Sequence, residues 1–165
     1  MKRDTPMLVL TGQILAALAV LANAVVYGTD WSVALVTRSV YRDHLDDATV
    51  TISAGWGHYY GDKRMPLFGA GGVITAVLTL GLAIATGHLA AAIAAAIALA
   101  ALLTWLACYV RIAKPINTAQ TTAAQTGVIP PNARALQTKW DSILNARVAL
   151  QTLALTGLLA ALILF

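Results

Sequence analysis

The chain has 165 residues, 59% of them hydrophobic and only 11% charged, with a mean hydropathy of +0.74, a balance that soluble domains of this size rarely reach and that points to a membrane protein. The net charge of +4 does not indicate nucleic acid as a partner. The cations form no basic run or basic helix face and sit at the edges of apolar segments, where Lys and Arg anchor a chain at a bilayer surface.

In chain order, the first uncharged run covers about residues 7–27. Lys2, Arg3, this run and Ala22-Asn23-Ala24 also match the outline of a cleaved signal peptide, but no soluble domain follows, so a retained first span is expected. From Met65 to Val110 there is no Asp, Glu, Lys or Arg, and only Gly87-His88 interrupts the run. It divides into two apolar stretches of 22 residues, 65–86 and 89–110, each about the length that a helix needs to cross a ~30 Å hydrocarbon core. A helical hairpin with a tight turn is predicted. The last span covers about 147–165, and its uncharged part, from Val148, has 18 residues. The lone cysteine, Cys108, lies in the third span and is assigned to packing.

These spans predict a single all-α domain, an integral membrane four-helix bundle. With four spans, the polar segments 28–64 and 111–146 emerge on the same side, each expected to carry additional interfacial helices. Pro130-Pro131 followed by Asn132, an N-cap residue, marks a helix start. Nine of the eleven Lys and Arg residues fall on that side, so the positive-inside rule makes it the cytoplasmic face of a plasma or inner membrane. Four short helices make a small core, and Gly69, Gly72 and the Ala-rich third span permit close helix approach, so a homodimer is expected.

Three constellations can carry chemistry. Asn23, Tyr27 and Asp30 follow at spacings of four and three, and so share a face if the first helix continues past Gly28. Helix-to-helix hydrogen bonding without chemistry accounts for them equally. In SAGWGHYYGDKRMPLFG (Ser53 to Gly69), His58 and Asp62 are four apart, so a helix lets the carboxylate orient the imidazole as a base. An aromatic anchor made of Trp56, Tyr59 and Tyr60 is the plainer reading of the same stretch. On the last helix, Trp140, Leu144 and Arg147 form one row and Asp141 and Asn145 another, and with Asn117 these point to a cavity lining or, for Arg147, to snorkelling toward headgroups. His44, His58, Asp30 and Asp62, with Asp46 and Asp47, are the ligand types of a non-haem iron or zinc site, although no metal-ligand spacing accompanies them.

Taken together, Asn23, WGHYYGDKRMP (Trp56 to Pro66), the PxN element (Pro115, Asn117) and WxxxLNxR (Trp140, Leu144, Asn145, Arg147) resemble the four-helix integral membrane family that includes the anthrone oxygenases of aromatic polyketide pathways. The resemblance covers nearly the whole chain. It implies an O2-using membrane enzyme, without flavin or haem, that acts on a hydrophobic aromatic substrate. The segment GTDWSVALVTRSVYRDHLDD (Gly28 to Asp47) departs from the fungal enzymes and looks more like the bacterial branch. The expected catalytic residues are His58, Asp62, Arg147 and Arg64, acting by base-assisted proton abstraction and oxyanion stabilisation. The expected substrate-binding residues are Asn23, Tyr27, Asp30, Trp56, Tyr59, Tyr60, Asn117, Trp140 and Asn145. O2 is the cosubstrate, no organic cofactor is required, and a metal ion is possible. The rival readings are a metal-dependent membrane oxidase and a nonenzymatic transporter subunit or scaffold.

Overall fold

The computed structural model describes residues 5–165; Lys2 and Arg3, and the signal-peptide alternative built on them, lie outside the described residues. Four helices follow one another: α1 (Pro6–His44), α2 (Asp47–Ala85), α3 (Leu89–Thr126) and α4 (Ala133–Leu164), each long and apolar enough to cross a membrane. Among the described residues there is no strand. Each helix packs chiefly on the next, and α4 closes the ring against α1.

The polar segments form no separate interfacial helices. They are continuations of the long helices: α2 runs unbroken for 39 residues, about 60 Å at 1.5 Å per residue and twice the apolar thickness of a bilayer. The reason lies in the absence of breakers. Asp46 caps α2 by accepting a hydrogen bond from the Thr49 amide at 2.7 Å, and no Pro precedes Pro66 in that helix. In α3 the helix absorbs Pro115 through a π-helical turn over Tyr109–Ala113. Pro115 cannot donate to the Arg111 carbonyl and its ring crowds that group, so the turn widens around it. A second π turn, Val33–Thr37, interrupts α1 at the same end of the bundle.

Turns are set by two residues in left-handed backbone conformation, Gly87 (φ 77°) and Gly127 (φ 73°). Gly127 ends α3, its amide bonding the Ala123 carbonyl at 2.8 Å. Asn132 occupies the N-cap position of α4, but its side chain makes no capping bond.

The interior at the Gly87 end is filled by alanine. Ala91, Ala95 and Ala98 of α3 and Ala154 and Ala161 of α4 are fully buried. A Cβ placed on Gly157 would come within 2.8 Å of the Ala94 carbonyl oxygen and 3.0 Å of the Ala98 Cβ. Within the chain, Gly72 admits the Asn23 side chain, and the buried alanines of α3 face the bundle interior, while Ala90, Ala96 and Ala100 lie on its exposed face. The outward faces carry large apolar side chains, among them Leu67, Ile84, Leu89 and Ile163.

Candidate functional site

Toward the end away from Gly87, where the polar segments meet, the four helices separate around a cavity of about 550 Å³. The helical period decides which residues of the Ser53 to Gly69 stretch reach it. Gly57, His58, Gly61, Asp62, Met65, Pro66 and Gly69 line the cavity, following the inward face of α2 at 3.6 residues per turn. The residues between them face outward. Trp56 and Tyr60 are exposed, Lys63 Nζ lies 3.7 Å over the Tyr59 ring, and the Arg64 guanidinium 5.0 Å over the Tyr60 ring. Trp56, Tyr59, Tyr60 and Arg64, expected at the site, thus form a cation-aromatic cluster on the outer surface.

Glycine creates much of the space. A Cβ at Gly57, Gly61 or Gly69 would meet nothing within 4 Å, so no neighbouring backbone requires glycine there. A mid-helix glycine costs about 0.5–1 kcal/mol relative to alanine. Three of them on one cavity-facing stripe leave open volume, whereas at Gly55 a Cβ would collide with the Gln120 carbonyl.

Three polar networks cross the walls. In the first, Asp30 and Arg147, both buried, form an ion pair at 2.7 Å, and Trp105 Nε1 donates to the other Asp30 oxygen at 3.0 Å. The guanidinium lies 5.2 Å from both the Trp105 and the Trp140 rings, a cation held between two aromatic faces. Arg147 therefore does not snorkel; the carboxylate on α1 draws it into the bundle.

In the second network, Asp62 Oδ1 accepts from the Tyr109 hydroxyl at 2.7 Å and from Asn117 Nδ2 at 3.1 Å, and Asn117 Oδ1 accepts from Trp140 Nε1 at 3.0 Å. The expected pairing of Asp62 with His58 is not formed, because α3 supplies nearer donors to the carboxylate.

The third network orients His58 instead. Asp141 Oδ1 accepts from Gln137 Nε2 at 3.0 Å, Gln137 Oε1 accepts from Gln120 Nε2 at 2.9 Å, and Gln120 Oε1 lies 3.0 Å from His58 Nε2. A carboxylate only accepts, so it fixes the direction of both amides. His58 Nε2 must then carry the proton, which leaves the Nδ1 lone pair without a claim from this chain of bonds.

Of the sequence-predicted residues, the structure brings Asn23, Asp30, His58, Asp62, Asn117, Trp140 and Arg147 to one cavity. Asn145 is exposed and accepts from Arg38 at 3.0 Å. Tyr27 packs against Trp31 with ring centres 6.1 Å apart and does not line the cavity. His44 is exposed at the end of α1 and does not line the cavity. Among the described residues, no three His, Cys, Asp or Glu side chains converge as a metal site would need.

Sequence reasoning missed Trp105, Tyr109, Gln120, Gln137 and Gln151. The signal was available for some: Trp105 and Tyr109 are one turn apart in an otherwise aliphatic span, and a Gln in an apolar segment, such as Gln151, needs a partner. Comparison of the chain with family models, with characterised proteins and with solved structures finds no match in any of the three.

Proposed function

We propose that the chain is an integral membrane enzyme that oxidises a hydrophobic aromatic substrate with O2 by base-assisted proton abstraction, as its resemblance to the anthrone oxygenases implies. The observation that carries this reading is the placement of an oriented imidazole, an uncommitted carboxylate oxygen and a buried guanidinium on one largely apolar cavity. The apolar outer faces and the surface cluster of Trp56, Tyr59, Tyr60, Lys63 and Arg64 suit a bilayer and its headgroup level. The excess of Lys and Arg at the cavity end favours a cytoplasmic orientation in a plasma or inner membrane.

A planar substrate that partitions into lipid reaches such a cavity without crossing water. His58 Nδ1 removes a proton from a CH2 flanked by aryl rings, with Asp62 close by on the next turn of α2. Arg147 stabilises the negative charge that develops on the conjugated carbonyl oxygen. The carbanion reduces O2 and forms a C–O bond. The resulting hydroperoxide loses the second C–H proton as its O–O bond breaks, giving a new carbonyl and one water.

The test is O2-dependent conversion of anthrone to anthraquinone by the protein in lipid nanodiscs, corrected for spontaneous autoxidation. Turnover above background is expected, with His58→Ala lowering it by about 10²-fold or more and Gln120→Leu, which frees the imidazole to rotate, lowering it less. Absence of turnover in folded wild type would sink the reading.

A further inference from the structure

A second cavity, of about 420 Å³, lies between α1 and α4, and Arg38, Arg42, Arg134 and Asp141 line it. Tyr41 and Gln137 line both cavities and form the wall between them. Asp141 belongs to the second cavity alone, yet it is joined to His58 in the first by three hydrogen bonds in series, through Gln137 and Gln120. Both glutamines are buried, so their amides are committed to each other and to the two ends. An amide donates at one end and accepts at the other, so all three bonds must run in one direction, and the group at the terminus decides which. No other contact to the imidazole makes that choice. Asp62 Oδ1 is taken by Tyr109 and Asn117. The Trp140 ring packs on the imidazole with centres 5.6 Å apart, which holds the ring without distinguishing its nitrogens.

We propose that Asp141 is a positioning residue for His58, and that its acceptor-only carboxylate decides, across two glutamines and from outside the substrate cavity, that Nδ1 is the free base. The consequence is a reversible polarity. In Asp141→Lys the ammonium donates to Gln137 Oε1, Gln137 Nε2 to Gln120 Oε1, and Gln120 Nε2 to His58 Nε2, which drives the ring proton to Nδ1. Adding Gln137→Glu to that variant restores an acceptor-only group one bond nearer. Its carboxylate takes both the ammonium and the Gln120 amide, and the proton returns to Nε2. Burial raises the Asp141 carboxyl above its ordinary value, opposed by Arg38 and Arg42, so mildly alkaline solution is the condition that keeps it ionised. The role of Nδ1 as base rests on the reading above; the site of the proton is measured without it.

The experiment reads the imidazole nitrogen chemical shifts by NMR of histidine-labelled protein in nanodiscs. The chain has three histidines, and His44→Gln with His88→Gln leaves His58 alone. In that background the proton is expected on Nε2, on Nδ1 after Asp141→Lys, and on Nε2 again in the Gln137→Glu, Asp141→Lys pair. A proton on Nδ1 without any change at 137 or 141 overturns the proposal, as does an unmoved proton in Asp141→Lys or a pair that stays reversed. If Asp141→Lys does not fold, Asp141→Asn replaces it: its amide ends the series in either sense, so a second tautomer is expected, and a single unchanged one overturns the proposal equally. Anthrone turnover is expected to fall about 10²-fold in Asp141→Lys and to recover in the pair. Reversal of the tautomer in a protein without turnover would keep the positioning role and remove the oxygenase; turnover with a tautomer that position 141 does not move would do the opposite.

Discussion

The seam between α3 and α4 and the space enclosed at the other end of the bundle are both lined by small residues, yet one is filled and the other hollow. At Gly157 a backbone carbonyl and a methyl group stand where a side chain would be, so the small residue exists to let two helices touch. At Gly61 nothing stands opposite, and the small residue exists to keep them apart. The filled seam is held by apolar contact among alanines and Leu158. The hollow region is held by polar bonds that reach across it: Arg147 to Asp30, Trp105 to Asp30, Tyr109 and Asn117 to Asp62. Small residues in a helix therefore carry no single meaning; what decides is whether another backbone is within reach.

The largest effect should come from cutting the strongest of those bonds. Asp30→Ala leaves Arg147 charged and unpaired in a buried site, which costs about 3–5 kcal/mol and should appear as a marked fall in thermal stability. Replacing both partners with apolar residues, Asp30→Leu with Arg147→Met, should recover most of that stability, since the pair's own desolvation cost goes with it. Anthrone turnover should stay lost. A loss below about 1 kcal/mol on Asp30→Ala would mean that apolar contact, as in the α3 to α4 seam, holds the hollow region too.

The contrast between the two regions was only half legible in the sequence. Four apolar helices, the Gly87 turn and the shared side of the polar segments follow from charge distribution and length, because an uncharged run of that length has few alternatives. The helical period of Ser53 to Gly69 already separates His58 and Asp62 from Trp56, Tyr60 and Arg64, provided the helix is known to continue through Gly57 and Gly61. Gly57, Gly61 and Pro66 each disfavour a helix interior. What compensates for them is tertiary: the packing of Gly55 on Gln120 and the bonds that α3 makes to Asp62. Partner choice was not legible for the same reason. His58 and Asp62 are one turn apart, but Gln120, 62 residues away, and Tyr109, 47 residues away, compete for them across the bundle. Nor did the sequence distinguish Gly69 from Gly72, of which the first faces open space and the second the Asn23 side chain.

A sharper comparison places the same side chain in both regions. Gly157→Leu must push aside the Ala94 carbonyl and Ala98, and overpacking of that kind costs about 1–3 kcal/mol or more. At Gly61 a Cβ meets nothing within 4 Å, so Gly61→Leu removes a mid-helix glycine with its outer atoms in the cavity and should raise stability by up to about 1 kcal/mol. The functional consequences invert. Gly61→Leu occupies the cavity and should abolish anthrone turnover, while Gly157→Leu, provided it folds, should leave it close to wild type. Thermal denaturation and anthrone turnover of the two variants side by side give both axes, and a Gly61→Leu protein that is destabilised yet still active would show that the cavity is not the substrate's site.

The smallest effect lies outside both regions and sets their baseline. The Thr49 amide hydrogen bond holds the exposed Asp46 carboxyl below its usual value, so the cap at the start of α2 contributes at neutral pH and is lost as the pH falls through that lowered value. An asparagine accepts the same bond at any pH. Hydrogen exchange at Thr49, relative to its intrinsic rate, should therefore speed up on acidification in wild type and stay constant in Asp46→Asn, while Asp46→Ala should be unprotected throughout. The change should stop within the first turn, since Val50 and Thr51 are already buried against the bundle. Exchange that spreads to Gly61 and beyond would mean that α2 frays from its cap into the cavity wall, and that the hollow region is held open from the helix end rather than by the bonds across it.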